Sequence, residues 1–353
     1  MENNKNMKNK CGEGNNVHLF NSNPLNFYFL KDLTKDSFCK FWYDNTFSLF
    51  KSYNDIFYII YTNYSKSIIS LNLISNQIIN EIKNAHKEDI SNFRHYLDKA
   101  NKRDLLISLS QSDNNLKLWN INNYECLVNI EKVNEIGCLS SACFLNMNNI
   151  IYIISSNSNK YNNNIEFIKI FDLNGNKVKE IDNSDFSTCF IDTYYDKNVA
   201  KNFIITGNRG FSQSYDYNGN KIYFKYCDDN KETTYHMSII IDDTDKIIKM
   251  IESSCAGIIR IWDFHTADLL NKIQINKEWL YSICLWNKDY LFVGCFDENI
   301  KLIELKTKKI IMDFEGHTEK VLTIKKIIHP KYGECLISQN ANKSHIKLWV
   351  NCK

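Results

Sequence analysis

Residues 247–275 read IIKMIESSCAGIIRIWDFHTADLLNKIQI. An apolar run, a small-residue turn, Ile259-Arg260-Ile261-Trp262-Asp263, a polar turn and a second apolar run follow one another. Ile259 and Ile261 alternate with Arg260, the period of two that marks a strand with one buried face, and Trp262 ends that strand with a side chain too large to leave in water. The stretch predicts three short strands joined by tight turns. Variants of it recur along the chain, so the same expectation extends outward in both directions.

From Ser37 onward the sequence divides into seven units, at about 37–82, 90–130, 136–181, 186–226, 235–275, 279–314 and 321–349. The first six carry four apolar segments in the same order and the seventh the first three of them; in the first unit these begin with 38–50, and in the weaker fourth they end with 222–226. The large residues that end the third segments are Leu71, Trp119, Phe171, Tyr215, Trp262, Ile303 and Trp349, spaced by 48, 52, 44, 47, 41 and 46 residues. Four short strands per period of about 40–50 residues predict a β-propeller. These seven side chains are expected to anchor the blades by filling the wedge between neighbours, at about 1.5–3 kcal/mol each. The seventh unit stops one strand short, and residues 25–33 form an apolar segment without strand partners of their own. The expected fold is therefore all-β, a seven-bladed propeller of four-stranded antiparallel blades whose last blade is closed by an N-terminal strand. Residues 17–353 are expected to form this single domain, and the Asn- and Lys-rich residues 1–16 a disordered tail.

Composition narrows the function. Apolar residues at 44% and aromatics at 13% can build a large core, and 2 Pro with 11 Gly leave few linkers. A formal charge of +2, with both signs scattered, lacks the concentrated basic field of a nucleic-acid binder, so no nucleic-acid partner is expected. The 12 Cys include no Cys-x-x-Cys pair, the closest two being Cys138 and Cys143, which points to buried, reduced thiols rather than zinc or disulfides. The opening MENNKNMKNK has no apolar core of a signal peptide, and Glu2 stands where myristoylation needs Gly. Apolar runs such as 56–61 and 150–154 fall far short of the ~18 residues of a membrane span. A cytoplasmic or nuclear protein without membrane insertion and without a cofactor is expected. Asn is abundant in the turns, where its tolerance of the left-handed backbone region lets it replace Gly.

The repeats resemble WD40 repeats. Glu315-Gly316-His317 matches the Gly-His element ahead of Trp349, Trp262-Asp263 the Trp-Asp pair, and Asp113 and Asp297 the Asp of the turn before the third strand. The likeness covers about residues 17–353. Asp in that turn and His in the preceding connection can join a buried hydrogen-bond relay to Ser and Trp. His86, Ser108, Asp113 and Trp119 supply such a set in the second repeat, with one extra residue between Ser108 and Asp113; the seventh keeps His317, Ser338 and Trp349 with no Asp in register. Asp297 is the corresponding turn residue of the sixth. Repeats one, three and four keep only the hydrophobic pattern. The resemblance implies a scaffold that binds peptides or subunits of other proteins, as a monomeric propeller within a hetero-complex. The Trp-Asp-x-Arg box usual in ubiquitin-ligase receptors is not matched, since Phe264-His265 follows Trp262-Asp263.

A Gly-x-Ser-x-Gly elbow, a Gly-rich phosphate loop, a His-Glu-x-x-His helix and a Ca²⁺ loop are missing from the sequence. His236, His265, His329 and His345 stand singly, and Asp228-Asp229 and Asp242-Asp243 read as solvated turns. The alternatives to a non-catalytic scaffold are a phosphoinositide-binding propeller and, behind it, a propeller enzyme. Phe93-Arg94-His95 and Arg209-Gly210-Phe211 offer one Arg each, short of the paired clamp a phosphate headgroup needs. Partner contacts are expected from aromatic or cationic residues at the starts of first strands or in the turns between second and third strands: Trp279, Arg209, Phe211, Tyr235, Lys320 and Phe186. Trp279 is aligned with Val321 of the next repeat, and Arg209 takes the turn position of Asp113 and Asp297.

Overall fold

The computed structural model describes residues 25, 27–34, 37–39, 45–133, 138–158, 167–183, 188–208, 211–222, 234–242 and 247–351. Every regular element among them is a β-strand, and the strands form seven antiparallel blades. The quoted stretch belongs to blade five, with strands Thr234–Asp242, Ile247–Ser254, Ile258–Asp263 and Leu269–Gln274. Blade one has Ser48–Lys51, Phe57–Thr62, Ile68–Asn72 and Gln77–Ile82; blade two has Ile90–Asp98, Arg103–Ser110, Asn115–Asn120 and Glu125–Ile130. Blade three has Cys138–Met147, Ile150–Ser158, Phe167–Phe171 and Lys177–Asp182, and blade six has Leu280–Leu285, Tyr290–Cys295, Ile300–Glu304 and Lys309–Phe314. In blade four Thr188–Asp196, Lys201–Asn208 and Ser212–Tyr215 are followed by a single bridge, Tyr215 to Lys221, where the fourth strand was expected to begin; residues 223–226 lie outside the described residues.

Blade seven combines the two ends of the chain. Val321–His329, Gly333–Asn340 and Ile346–Asn351 are completed by Phe27–Asp32, which pairs antiparallel with the last of them from Phe27 opposite Asn351 to Asp32 opposite Lys347. Around this ladder Leu33 N donates to the Ile346 carbonyl at 2.7 Å, Ile346 N to Thr34 Oγ1 at 3.1 Å, and Lys347 Nζ to Asp32 Oδ1 at 2.8 Å. Phe27 is buried, with its ring edge-on to Trp286 and Phe292 at 4.8 and 5.1 Å between centroids. The seam between blades seven and one is hydrogen-bonded as well: Thr46 N donates to Thr323 Oγ1, Thr46 Oγ1 to Gln339 Oε1, and Lys325 Nζ to Asn45 Oδ1. A ring shut this way presents no open sheet edge between its first and last blades.

One strand differs from expectation. Residues 38–50 do not form the first strand of blade one; Ser37–Cys39 instead pairs with Asn342–Ser344 in a two-stranded ribbon, and the blade begins at Ser48. The apolar pattern alone cannot separate these pieces, because both lie in apolar-rich sequence a few residues apart.

Packing explains the period. Leu71, Trp119, Phe171, Tyr215, Trp262, Ile303 and Trp349 are all buried, and each belongs to a different cluster shared with the preceding blade. Trp119, for example, packs with Phe50, Tyr58 and Ile60 of blade one, and Trp262 with Phe190 and Phe203 of blade four. Opposite each anchor in the six blades with a complete fourth strand the ladder slips by one residue, at Leu30, Ile79, Leu127, Val178, Leu270 and Ile311. A bulge strengthens the right-handed twist, which turns the outer strand away from the inner one and spoils the outer edge as a template for pairing. Asn occupies seven of the sixteen non-glycine positions with positive φ among the described residues, as the Asn-rich turns suggested.

Candidate functional site

The loops that precede first strands and those that join second to third strands meet at one end of every blade, and they carry the polar relays and the partner candidates. In blade two Trp119 Nε1 donates to Ser108 Oγ at 2.8 Å, and Ser108 Oγ lies 2.6 Å from His86 Nε2. Blade seven repeats the set: Trp349 Nε1 to Ser338 Oγ at 2.7 Å, and Ser338 Oγ to His317 Nε2 at 2.7 Å. Each Ser hydroxyl accepts from the Trp and bonds the His Nε2 with its remaining capacity, which ties ring, hydroxyl and indole into one buried set. Beyond each ring stands an Asn side chain, Asn115 beside His86 and Asn340 beside His317, in place of the repeat pattern's Asp. The extra residue ahead of Asp113 moves its carboxylate out of the relay, so Asp113 is not a member. Asp297 is not one either: its turn is exposed and its carboxylate pairs with Lys301 at 3.0 Å, because blade six has Val293 at the Ser position and Ile303 at the Trp position.

Blade four holds a relay that the sequence did not disclose. Tyr215 OH donates to Asn183 Oδ1 at 2.5 Å, Asn183 Nδ2 to Thr188 Oγ1 at 2.6 Å, Thr188 Oγ1 to Asn208 Oδ1 at 2.9 Å, and Asn208 Nδ2 to Thr206 Oγ1 at 3.1 Å. Asn183 stands in for the loop His, Thr206 for the Ser, and Tyr215 for the Trp. Chemically different residues do the same work, so no motif marks them.

Burial, with Lys117 second, lowers the His86 pKa to about 3 against the neighbouring Asn115 side chain. Burial, with Lys347 second, likewise lowers His317 to about 3. Both rings bind a proton in the unfolded chain near the ordinary value of about 6.5 and not in the folded one, so their contribution to stability is complete above that pH and is lost as pH falls from about 6.5 toward about 3. Chemical denaturation at a series of falling pH values is expected to show stability dropping across this window, and less steeply in His86→Gln. Equal slopes in the two proteins would contradict the assignment.

The remaining candidates are distributed as follows. Arg209 and Phe186 lie outside the described residues, and Tyr235 occupies the bulge position of its strand, between Thr234 and His236. Phe211 is buried at 6% exposure, its carbonyl accepting from Asn208 N across the turn, so it is not available as a surface contact. Trp279 and Lys320 are brought into one neighbourhood. The ladder places Leu280 opposite Cys295 and Val321 opposite Asn340, so Trp279 aligns with Lys320 rather than with the buried Val321. It is half-buried, with its ring edge-on to Tyr281 at 6.0 Å and to Phe296 at 6.4 Å. Lys320 Nζ lies 5.8 Å from the ring centres of both Tyr281 and Phe296. Phe296 N donates to the Trp279 carbonyl, which fixes the two rings relative to the backbone. Phe296, 44% exposed in the turn between second and third strands, is an aromatic contact residue that the sequence reading did not include.

The isolated basic and imidazole groups serve packing. Arg94 crosses from blade two to donate to the carbonyls of Ala142 in blade three and Ile191 in blade four, both at 3.3 Å, with its guanidinium over Phe190. His265 meets Asp196 at 2.7 Å between blades five and four, and His345 Nδ1 lies 2.9 Å from the Thr34 carbonyl. Among the described residues no three His, Cys, Asp or Glu converge as metal ligands, and no helix is long and apolar enough to cross a membrane.

No family model matches the chain. Over 84 residues it is 24% identical to the U3 small nucleolar RNA-associated protein 21 homolog of Schizosaccharomyces pombe, a match that covers 24% of this chain and 9% of that protein. A seven-bladed ring whose wedge residues in two blades are Trp hydrogen-bonded through Ser to a loop His has the architecture of a WD40-type propeller, the fold the repeats resemble.

Proposed function

We propose that the chain is a non-catalytic scaffold for protein–protein interaction, a subunit or adaptor of a larger complex, and that partners dock at Trp279, Phe296 and Lys320. The observation that supports this reading is the partly exposed pair Trp279 and Phe296 with Lys320 held over the Phe296 ring, at strand ends on the loop face of blades six and seven. Aromatic and long cationic side chains held in place lose little entropy on association and give large contact area, which is why interface hot spots favour them. The matched relative's name ties that protein to a small nucleolar RNA. For the present chain the near-neutral charge favours a place in a nuclear assembly through protein contacts rather than through RNA itself.

The test is co-purification of the tagged full chain from its native cell, compared with Trp279→Ala combined with Phe296→Ala. The double variant is expected to keep its melting temperature within a few degrees, since both rings are partly exposed, and to lose stably associated proteins. Unchanged recovery would remove this face from consideration.

A further inference from the structure

The loops that carry the docking residues are acidic. Three short segments are involved: 276–279 ahead of blade six, 296–299 between its second and third strands, and 315–320 ahead of blade seven. They contain five carboxylates, Glu278, Asp297, Glu298, Glu315 and Glu319, against Lys277 and Lys320, a net charge of −3 in a chain whose total is +2. The sequence sets an acid beside each contact residue: Glu278 before Trp279, Asp297 and Glu298 after Phe296, and Glu319 before Lys320. Of the five, only Asp297 is in an ion pair among the described residues, with Lys301 at 3.0 Å, which leaves four glutamates against two lysines. Glu278, Glu298 and Glu315 are exposed. The negative field is felt beneath the turn as well: the Cys295 thiol is pushed up first by burial and then by Asp297, with Asp313 and Glu278 adding and Lys301 opposing.

The aromatic rings between these acids already hold one cation. Lys320 Nζ lies 5.8 Å from the ring centres of buried Tyr281 and of Phe296, and Trp279 stands edge-on to both rings. Ring faces attract a cation through their quadrupole, and carboxylates close by add to the attraction. We infer that the docking surface of blades six and seven takes a basic segment of a protein partner, with an Arg or Lys side chain against Trp279 and Phe296 and its charge met by Glu278 and Glu298. This partner chemistry rests on the docking reading above. Charge complementarity selects it: an acidic segment would meet like charge beside every ring, and an apolar one would desolvate carboxylates without pairing them. A guanidinium suits the surface well, because its plane stacks on an aromatic face while its edge reaches a carboxylate.

The experiment presents the immobilised full chain with short degenerate peptides that share one fixed central residue, Arg, Lys, Ala or Glu, at constant ionic strength, and measures the amount retained. Peptides centred on Arg or Lys are expected to be retained at least about fivefold over those centred on Ala, and those centred on Glu less than either. Glu278→Gln combined with Glu298→Gln is expected to abolish that preference with the melting temperature unchanged, since neither carboxylate is in an ion pair among the described residues. Retention of Arg over Lys assigns a guanidinium, and equal retention assigns either cation. Equal retention of the Ala-centred peptides, a preference for Glu, or a preference that survives in the double Gln variant overturns the inference. Co-purification keeps the two readings separate. Proteins lost with Trp279→Ala and Phe296→Ala but kept with the two Gln substitutions leave the docking face standing and remove the basic partner, whereas proteins kept in both variants remove the face itself.

Discussion

A chain beginning at Asp36 is expected to lose the cooperative melting of the whole ring, or to melt lower by on the order of 10 °C or more. The truncation removes Leu25, Phe27 and Leu33, all buried, whose burial is worth roughly 5–9 kcal/mol together. It also strips the ladder from Ile346–Asn351, exposing the edge of a three-stranded blade and opening the ring at the blade built from both ends of the chain. Total stabilities of about 5–15 kcal/mol leave little room for such a loss. Two point variants separate closure from nonspecific damage. Phe27→Ala is expected to cost about 3–5 kcal/mol, because its ring sits edge-on among Trp286, Phe292 and Phe314. Phe29→Ala, two residues on but 43% exposed, is expected to cost well under half of that. A truncated chain that melts with the full one would contradict closure by this strand.

Trp349 supports the second large effect. It fills the wedge between blades seven and six with Phe314, Leu336 and Phe27, stacks edge-on to Phe29, and donates to Ser338. Trp349→Ala is expected to destabilise the chain by about 3–5 kcal/mol, through lost apolar contact and an incompletely filled cavity. Trp349→Phe keeps most of the ring but leaves the buried Ser338 hydroxyl oxygen without its indole donor, at a cost of about 1–3 kcal/mol. Urea denaturation of the two variants separates wedge from relay. If Trp349→Phe matched the parent, the relay would be dispensable in this blade.

The ring was legible because its architecture repeats a size requirement: every blade needs a large side chain where it meets its neighbour, and seven such positions recur at a near-constant spacing whether the residue is Trp, Phe, Tyr, Leu or Ile. Orphan residues 25–33 and a seventh unit one strand short pointed to closure in the same way. Details that depend on a single residue of register were not legible. The bulge near the start of the inner strands shifts the count by one, which set Trp279 against Val321 instead of Lys320. One added residue in a turn took Asp113 out of the relay, and Phe211 is buried where a surface contact was expected. The blade-four network escaped because Asn, Thr and Tyr satisfy the same hydrogen bonds as His, Ser and Trp without resembling them.

Exposed apolar side chains also line the outer strands, Ile78 at 57% and Leu269 at 41% among them, so the rim is the rival surface to the loop face. The two are distinguished by a photo-reactive phenylalanine analogue placed singly at Trp279 or at Ile78 in the native cell, with the remaining chain unaltered. Docking at the loop face predicts discrete cross-linked partners from position 279 and none above background from position 78. The same partners captured at 78 and not at 279 would contradict it.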